Sequence, residues 1–188
     1  MATYIRFTIL SVILFAVSGC GYRAFTEPEL AYEAVDTAEV VRTIQYLDGL
    51  SEGPMYTISV TVPDEWVGNF ETRNLGGAAY SFEFMEELEI DEDEEDVDPE
   101  DTFRYAPIFT VEALSRPQYW EQIGSYPQQY VNVKFTADTY FIYSILPDAY
   151  YSGLPDDEYD EFVAAIPEIM ASFNAERIVE ESPILTMP

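Results

Sequence analysis

The chain has 188 residues, with 8 Lys+Arg against 36 Asp+Glu and no histidine, for a formal charge of −28. Nucleic-acid binding needs a basic surface that displaces counterions from phosphate, so it is excluded, and so is any Ser or Cys nucleophile relayed through imidazole. One cysteine excludes an intrachain disulfide, while 48% hydrophobic and 15% aromatic residues suffice for one core of ordinary size.

Met1 to Arg6 carries one positive charge, Phe7 to Val17 is an almost unbroken apolar run, and Ser18-Gly19-Cys20 closes it with small residues. That order is a secretory signal. The run is about half the ~20 residues that span a bilayer as a helix, so residues 1–19 are expected to be a signal peptide and not a permanent anchor. Val17-Ser18-Gly19-Cys20 resembles the lipobox of bacterial lipoproteins, which implies a diacylglyceryl group on the Cys20 thiol and cleavage just before it. Each buried methylene contributes about 0.8 kcal/mol, and two or three acyl chains hold where a single one is marginal. The lipid then fixes the protein to a membrane of the bacterial cell envelope, facing the extracytoplasmic side. An anionic bilayer repels so acidic a chain, so residues 20–38, with Pro28 and mixed polar character, are expected to act as a lipidated tether.

Residues 39–47 alternate poorly and leave a strand and a helix turn both open. Met55 to Val62 alternates Tyr56, Ile58, Val60 and Val62 against Thr57, Ser59 and Thr61, the pattern of a half-buried strand, and Pro63-Asp64-Glu65 ends it. A second extended stretch near Val67–Arg73 runs into the turn signal Asn74-Leu75-Gly76-Gly77. Ala78 to Met85 alternates again, with Tyr80, Phe82 and Phe84 opposed to Ser81 and Glu83. Glu86 to Asp101 then holds twelve acidic residues in sixteen positions, so residues 86–102 form an acidic insertion that self-repulsion keeps open.

Ile108–Leu114 resumes the strand pattern, and Tyr119–Ile123 predicts one or two helical turns between Pro117 and Gly124. Tyr130–Phe135 and Thr139–Leu146 read as two strands around Thr136-Ala137-Asp138. Tyr159, Phe162, Val163, Ile166, Ile169, Met170 and Phe173 recur at three- and four-residue spacing, which predicts an amphipathic closing helix. Asp156, Asp157 and Glu158 favour its start, and Pro167 predicts a kink or break near Val163–Ile166. These elements make one α+β domain over residues 39–175, an antiparallel sheet with packed helices, followed by a tail over 176–188.

The string Tyr56-Thr-Ile-Ser-Val-Thr-Val-Pro63-Asp-Glu-Trp66, with Phe82 and Phe84 after it and a helix closing on Ile169-Met-Ala-Ser-Phe173, resembles the Mog1/PsbP-like domains. The resemblance spans about residues 54–174. It implies an α/β/α sandwich and a non-enzymatic accessory or assembly role, and it carries over no catalytic residue. The acidic insertion and the scarcity of basic residues depart from that family.

Asp91, Asp93, Glu95, Asp96 and Asp98 offer the closely spaced oxygens that calcium prefers. The EF-hand pattern is absent, because counting from Asp91 the glycine position holds Asp96 and the bidentate glutamate position holds Thr102. A solvated loop with no cofactor is the plainer reading. Outside the run the chain is still strongly acidic, which fits either high-salt adaptation or a cationic partner. Tyr140 and Tyr143 are expected to pack within a strand, leaving Tyr150 and Tyr151 as the exposed aromatic pair that a ligand would use. Trp66 and Trp120 read as core or cap residues, and Lys134 as the partner of an acidic neighbour instead of half of a Ser-Lys dyad. The leading reading is a non-enzymatic, protein-binding envelope lipoprotein, and the acidic surface suits a basic protein as its partner. A cation- or solute-binding lipoprotein using residues 86–101 is the alternative, and a carboxylate-dependent hydrolase the third.

Overall fold

The computed structural model describes residues 32–88, 103–125 and 130–179. They form a mixed α+β fold of antiparallel sheets and two helices. A six-stranded sheet takes β1 (Tyr32–Ala34), β6 (Phe70–Asn74), β7 (Ala79–Glu87), β8 (Phe103–Leu114), β10 (Tyr140–Ile145) and β9 (Tyr130–Phe135), in that spatial order. A three-stranded sheet orders β11 (Asn174–Arg177), β5 (Tyr56–Thr61) and β2 (Glu39–Ile44), and β3 (Leu47–Asp48) pairs with β4 (Ser51–Glu52) in a small hairpin. The two helices are α1 (Arg116–Ser125) and α2 (Asp156–Ala171).

One buried cluster joins both sheets to α2. Val40, Ile44, Ile58 and Val60 come from the small sheet, Tyr80, Phe82, Phe109, Val111 and Phe141 from the large one, and Ile166 and Ile169 from α2. Phe82 stacks on Phe109 at 4.4 Å, and Trp66 on Phe70 at 4.0 Å, while Phe162 of α2 meets Trp66, Phe70 and Phe84 edge-on or tilted. Burying an aliphatic or Phe side chain of this kind contributes about 1.5–3 kcal/mol, so this cluster is the main source of stability.

The period-two strands of the sequence form where expected, and residues 39–44 resolve as strand β2, with Val40 and Ile44 buried. Gly76 and Gly77 both take positive φ in the β6–β7 turn, a conformation that glycine adopts without steric cost. Helix α1 begins one turn earlier than predicted. Ser115 Oγ accepts the Gln118 N–H at 3.3 Å while Gln118 Oε1 accepts the Ser115 N–H at 2.9 Å, a reciprocal cap that starts the helix ahead of Tyr119. Helix α2 runs unbroken through Pro167, correcting the predicted break, because the apolar face of Tyr159, Phe162, Ile166, Ile169 and Met170 is held against the sheets.

The large sheet also takes in Tyr32–Ala34 as β1, and the small sheet takes Glu176 and Arg177 into β11, on either side of the expected 39–175 span. Trp66 is buried, whereas Trp120 is 58% exposed and belongs to no core. Two cationic side chains bridge the sheets at opposite edges. Arg42 on β2 donates from Nη2 to the carbonyls of Glu33 and Ala34 at 3.2 and 3.1 Å, and from Nε to Thr72 Oγ1 at 2.6 Å. Lys134 on β9 donates to Asn174 Oδ1 and the Ala175 carbonyl, both at 3.1 Å, so it ties β9 to β11 and makes no ion pair among the described residues.

Candidate functional site

Cys20 and the run Asp91, Asp93, Glu95, Asp96 and Asp98 lie outside the described residues. Among the described residues, no three Asp, Glu, Cys or His side chains stand close enough to hold a metal ion, and no helix is long and apolar enough to cross a membrane. The structure does place Tyr150 and Tyr151. They sit on a 3-10 turn, Ala149–Tyr151, that Asp148 caps by accepting the Tyr150 N–H at 2.9 Å. Their rings meet edge-on at 5.6 Å and are 83% and 62% exposed.

Several carboxylates lie close to that turn in the fold or the sequence. A Cβ on Gly153 would lie 3.4 Å from the Arg104 guanidinium, so the turn packs beside Arg104 at the start of β8, and Arg104 is ion-paired to Glu86 across the hairpin. Asp156, Asp157 and Glu158 open α2 a few residues further on. The sequence between Glu87 and Phe103 carries the acidic run out of this same hairpin. The basic side chains do little to offset the charge outward. Arg42, Arg73, Arg104, Lys134 and Arg177 are each engaged in an ion pair or hydrogen bond, Arg104 and Arg177 at the surface, and Arg116 at the start of α1 is exposed.

The core occupies only one face of the large sheet, and its other face divides into two halves. On β1, β6 and β7, Glu83 is 1% exposed with Arg73 Nε 2.8 Å from its Oε1 and Tyr32 donating to Oε2 at 3.4 Å. The Arg73 N–H is not aligned with Oε1, so the contact is a charge pair without a well-formed hydrogen bond. Tyr32 stacks on Tyr105 at 4.4 Å, and the Arg73 guanidinium lies 5.9 Å from the Tyr32 ring centre. Glu71 stands directly opposite Glu83, and burial, then the Glu83 and Asp36 charges, raise its pKa above the ordinary carboxylate value. Burial, then Glu83, likewise raises the Tyr32 phenol.

On β8, β10 and β9 the same face is covered by α1. Tyr119 stacks on Tyr140 at 4.3 Å, Tyr140 on Phe135 at 6.2 Å, and Trp120 meets Tyr119 edge-on at 5.3 Å. Tyr140 thus packs, as expected, but against α1 and Phe135 on the face away from the core, while Tyr143 packs on the core itself. Gln122 Nε2 donates to Glu112 Oε1 at 3.4 Å, and burial raises the Glu112 pKa while that hydrogen bond lowers it.

No family model, no curated protein and no solved structure matches this chain. Sequence reasoning expected Tyr150 and Tyr151 at the surface, where they lie, but missed the Arg73–Glu83 centre and the α1 stack. Opposed Ser81 and Glu83 mark a polar strand face, and only the register places Arg73 and Tyr32 beside them.

Proposed function

We propose that the protein is a lipoprotein anchored through Cys20 to a bacterial envelope membrane, whose extracytoplasmic domain binds a basic protein partner without catalysing a reaction. The observation that carries this reading is the exposed Tyr150–Tyr151 pair at the end of the molecule bearing Glu86, Asp148, Asp156, Asp157 and Glu158. Exposed tyrosines supply the rigid contact area that dominates protein interfaces, and Arg or Lys side chains are attracted both to their faces and to the surrounding carboxylates. With 36 acidic residues against 8 basic ones and five of the six described cations held in ion pairs or hydrogen bonds, the outward field favours positive partners and speeds their encounter. A Mog1/PsbP-like sandwich belongs to the same reading. Its support is the Pro63–Trp66 turn after β5 and the closing helix that hands over to β11 through Ser172 and Phe173.

A photo-crosslinking amino acid placed at Tyr150 or Tyr151 of the full chain, in cells, tests this. The control position is Leu50, on the β3–β4 hairpin, which Asp48 ties to Ser115 just past the opposite end of β8 from Arg104. The expected result is a discrete adduct with a basic protein from 150 or 151 and none from 50, lost at high salt. Equal adducts from all three positions, or none, would contradict it.

A further inference from the structure

Charge is shared unevenly along the chain. Residues 113–147, which span the end of β8, α1, β9 and β10, hold two acidic side chains, Glu121 and Asp138, and two basic ones, Arg116 and Lys134, so they are net neutral. The rest of the chain carries the whole charge of −28. Asp138 is also ion-paired to Arg177. From Gln122 to Ala137 sixteen consecutive positions hold no carboxylate, and β9 lies within them.

Strand β9 is also an open edge. It ends the six-stranded sheet, and no strand among the described residues pairs with its other side. At the opposite edge of the same sheet, by contrast, Arg42 donates to the Glu33 and Ala34 carbonyls of β1. Exposed apolar side chains stand on both faces of β9. Phe135, opposite Tyr140, is 71% exposed on the α1 side, and Val131, opposite Tyr143, is 45% exposed on the core side. Phe135 also continues the row of rings Tyr140, Tyr119 and Trp120. Free edges are commonly blunted by an outward charge, but the one charge on β9, Lys134, is turned to Asn174 and Ala175 of β11. A bulge at Val133, which has no partner on β10, shortens the regular ladder, so side chains and not a long ladder offer most of the contact.

Charge decides what fits this surface. A basic partner gains from every carboxylate it meets, so a face for one keeps its acid, as the surroundings of Tyr150 and Tyr151 do. A face cleared of acid suits a like-charged partner, and a second copy of this chain is one. An anionic bilayer is like-charged too, but hydrocarbon cannot satisfy the backbone N–H and C=O groups of an open strand edge. We propose that two copies associate about a two-fold axis at β9, the two β9 strands antiparallel and side by side, with Phe135 and Val131 of each copy covered by the other. Identical strands paired antiparallel are self-complementary, as a closed two-fold dimer requires. Aromatic side chains with few charges among them are also the composition of interface centres.

Two measurements on the detergent-solubilised full chain test this. In sedimentation equilibrium the native chain should dimerise, and the dimer should tighten about ten-fold or more between about 0.05 M and about 0.5 M NaCl as screening relieves the repulsion between copies. Phe135→Asp should weaken it about ten-fold or more while leaving the thermal midpoint unchanged, because the ring is exposed in the single chain. The second measurement is a cysteine scan in Cys20→Ala, which has no other thiol, with Val131→Cys, Asn132→Cys, Val133→Cys or Phe135→Cys and with Leu50→Cys as the control. Equivalent residues of two copies meet only near the axis, so mild oxidation should link dimers from one or two neighbouring β9 positions and not from Leu50. A monomer at every salt concentration, a dimer indifferent to Phe135→Asp, links formed equally from β9 and Leu50, or a monomer that instead binds anionic vesicles through Phe135 would overturn the proposal. The dimer tightens with salt whereas the Tyr150–Tyr151 adduct is lost with it, so failure of either reading leaves the other standing.

Discussion

The two halves of the large sheet's outer face solve the same problem with different chemistry. On β1, β6 and β7, a carboxylate is buried and neutralised by one arginine, with two tyrosines closing over the pair. On β8, β10 and β9, aromatic stacking against α1 does the covering, and its outermost rings, Trp120 and Phe135, face solvent. Burial of charge makes the first half strongly interdependent, since removing either partner strands the other. Stacking makes the second half graded, since each ring contributes its own area and little is lost when an exposed one is trimmed.

Breaking the charge centre should have the largest effect. Arg73→Met leaves Glu83 buried without a counter-charge and should cost about 3 kcal/mol, at the low end for a buried pair because Arg73 is partly exposed. Chemical denaturation should show most of that loss recovered in the double variant Arg73→Met, Glu83→Leu. A single variant costing less than about 1 kcal/mol would mean that the pair is not a true buried centre.

Next comes the stack, where Tyr119→Ala should cost about 1–2 kcal/mol by losing its packing on Tyr140. Trp120→Ala should stay within about 0.5 kcal/mol because the ring is mostly solvated. Equal losses from the two would erase the distinction between covered and outermost rings.

The pH dependence gives a finer comparison, with opposite signs in two places. Glu71 has a raised pKa in the folded state, so the native protein holds its proton longer than the unfolded chain does. Its contribution is present below the unfolded value and is lost as pH rises through the folded one. Glu71→Gln should therefore raise the thermal midpoint at pH 7 and leave it unchanged near pH 4 or below. Asp138 behaves the other way. Burial acts to raise its pKa, but hydrogen bonds from Tyr56, Thr136 and Thr139 and the Arg177 charge outweigh that and hold it below the ordinary value. Its contribution is present above the unfolded pKa and is lost as pH falls through the depressed folded one, so Asp138→Asn should destabilise at pH 7 and much less at pH 3. Midpoints for both variants across pH 3–8 would show the two trends crossing.

Much of the fold was legible because its strands keep period two and α2 keeps its apolar stripe, and both signals are local. Tyr150 and Tyr151 were legible for the same reason, as aromatics in a turn with no apolar periodicity to bury them. The Arg73–Glu83 pair was not, because residues apart in sequence meet there only through cross-strand register. Trp120 misled for a related reason. An aromatic next to a turn is usually a core or cap residue, but the Ser115–Gln118 cap sets the helical phase so that Tyr119 meets the sheet and Trp120 faces outward.

A partner at the Tyr150–Tyr151 end would meet this domain only where it is held, and the Cys20 lipid is what would hold it. Metabolic labelling of the full chain with palmitate in a bacterial host, followed by membrane fractionation, tests that directly. Label and membrane association in the native chain, both lost in Cys20→Ala, are predicted. A native chain that is unlabelled and recovered in the soluble fraction would contradict it.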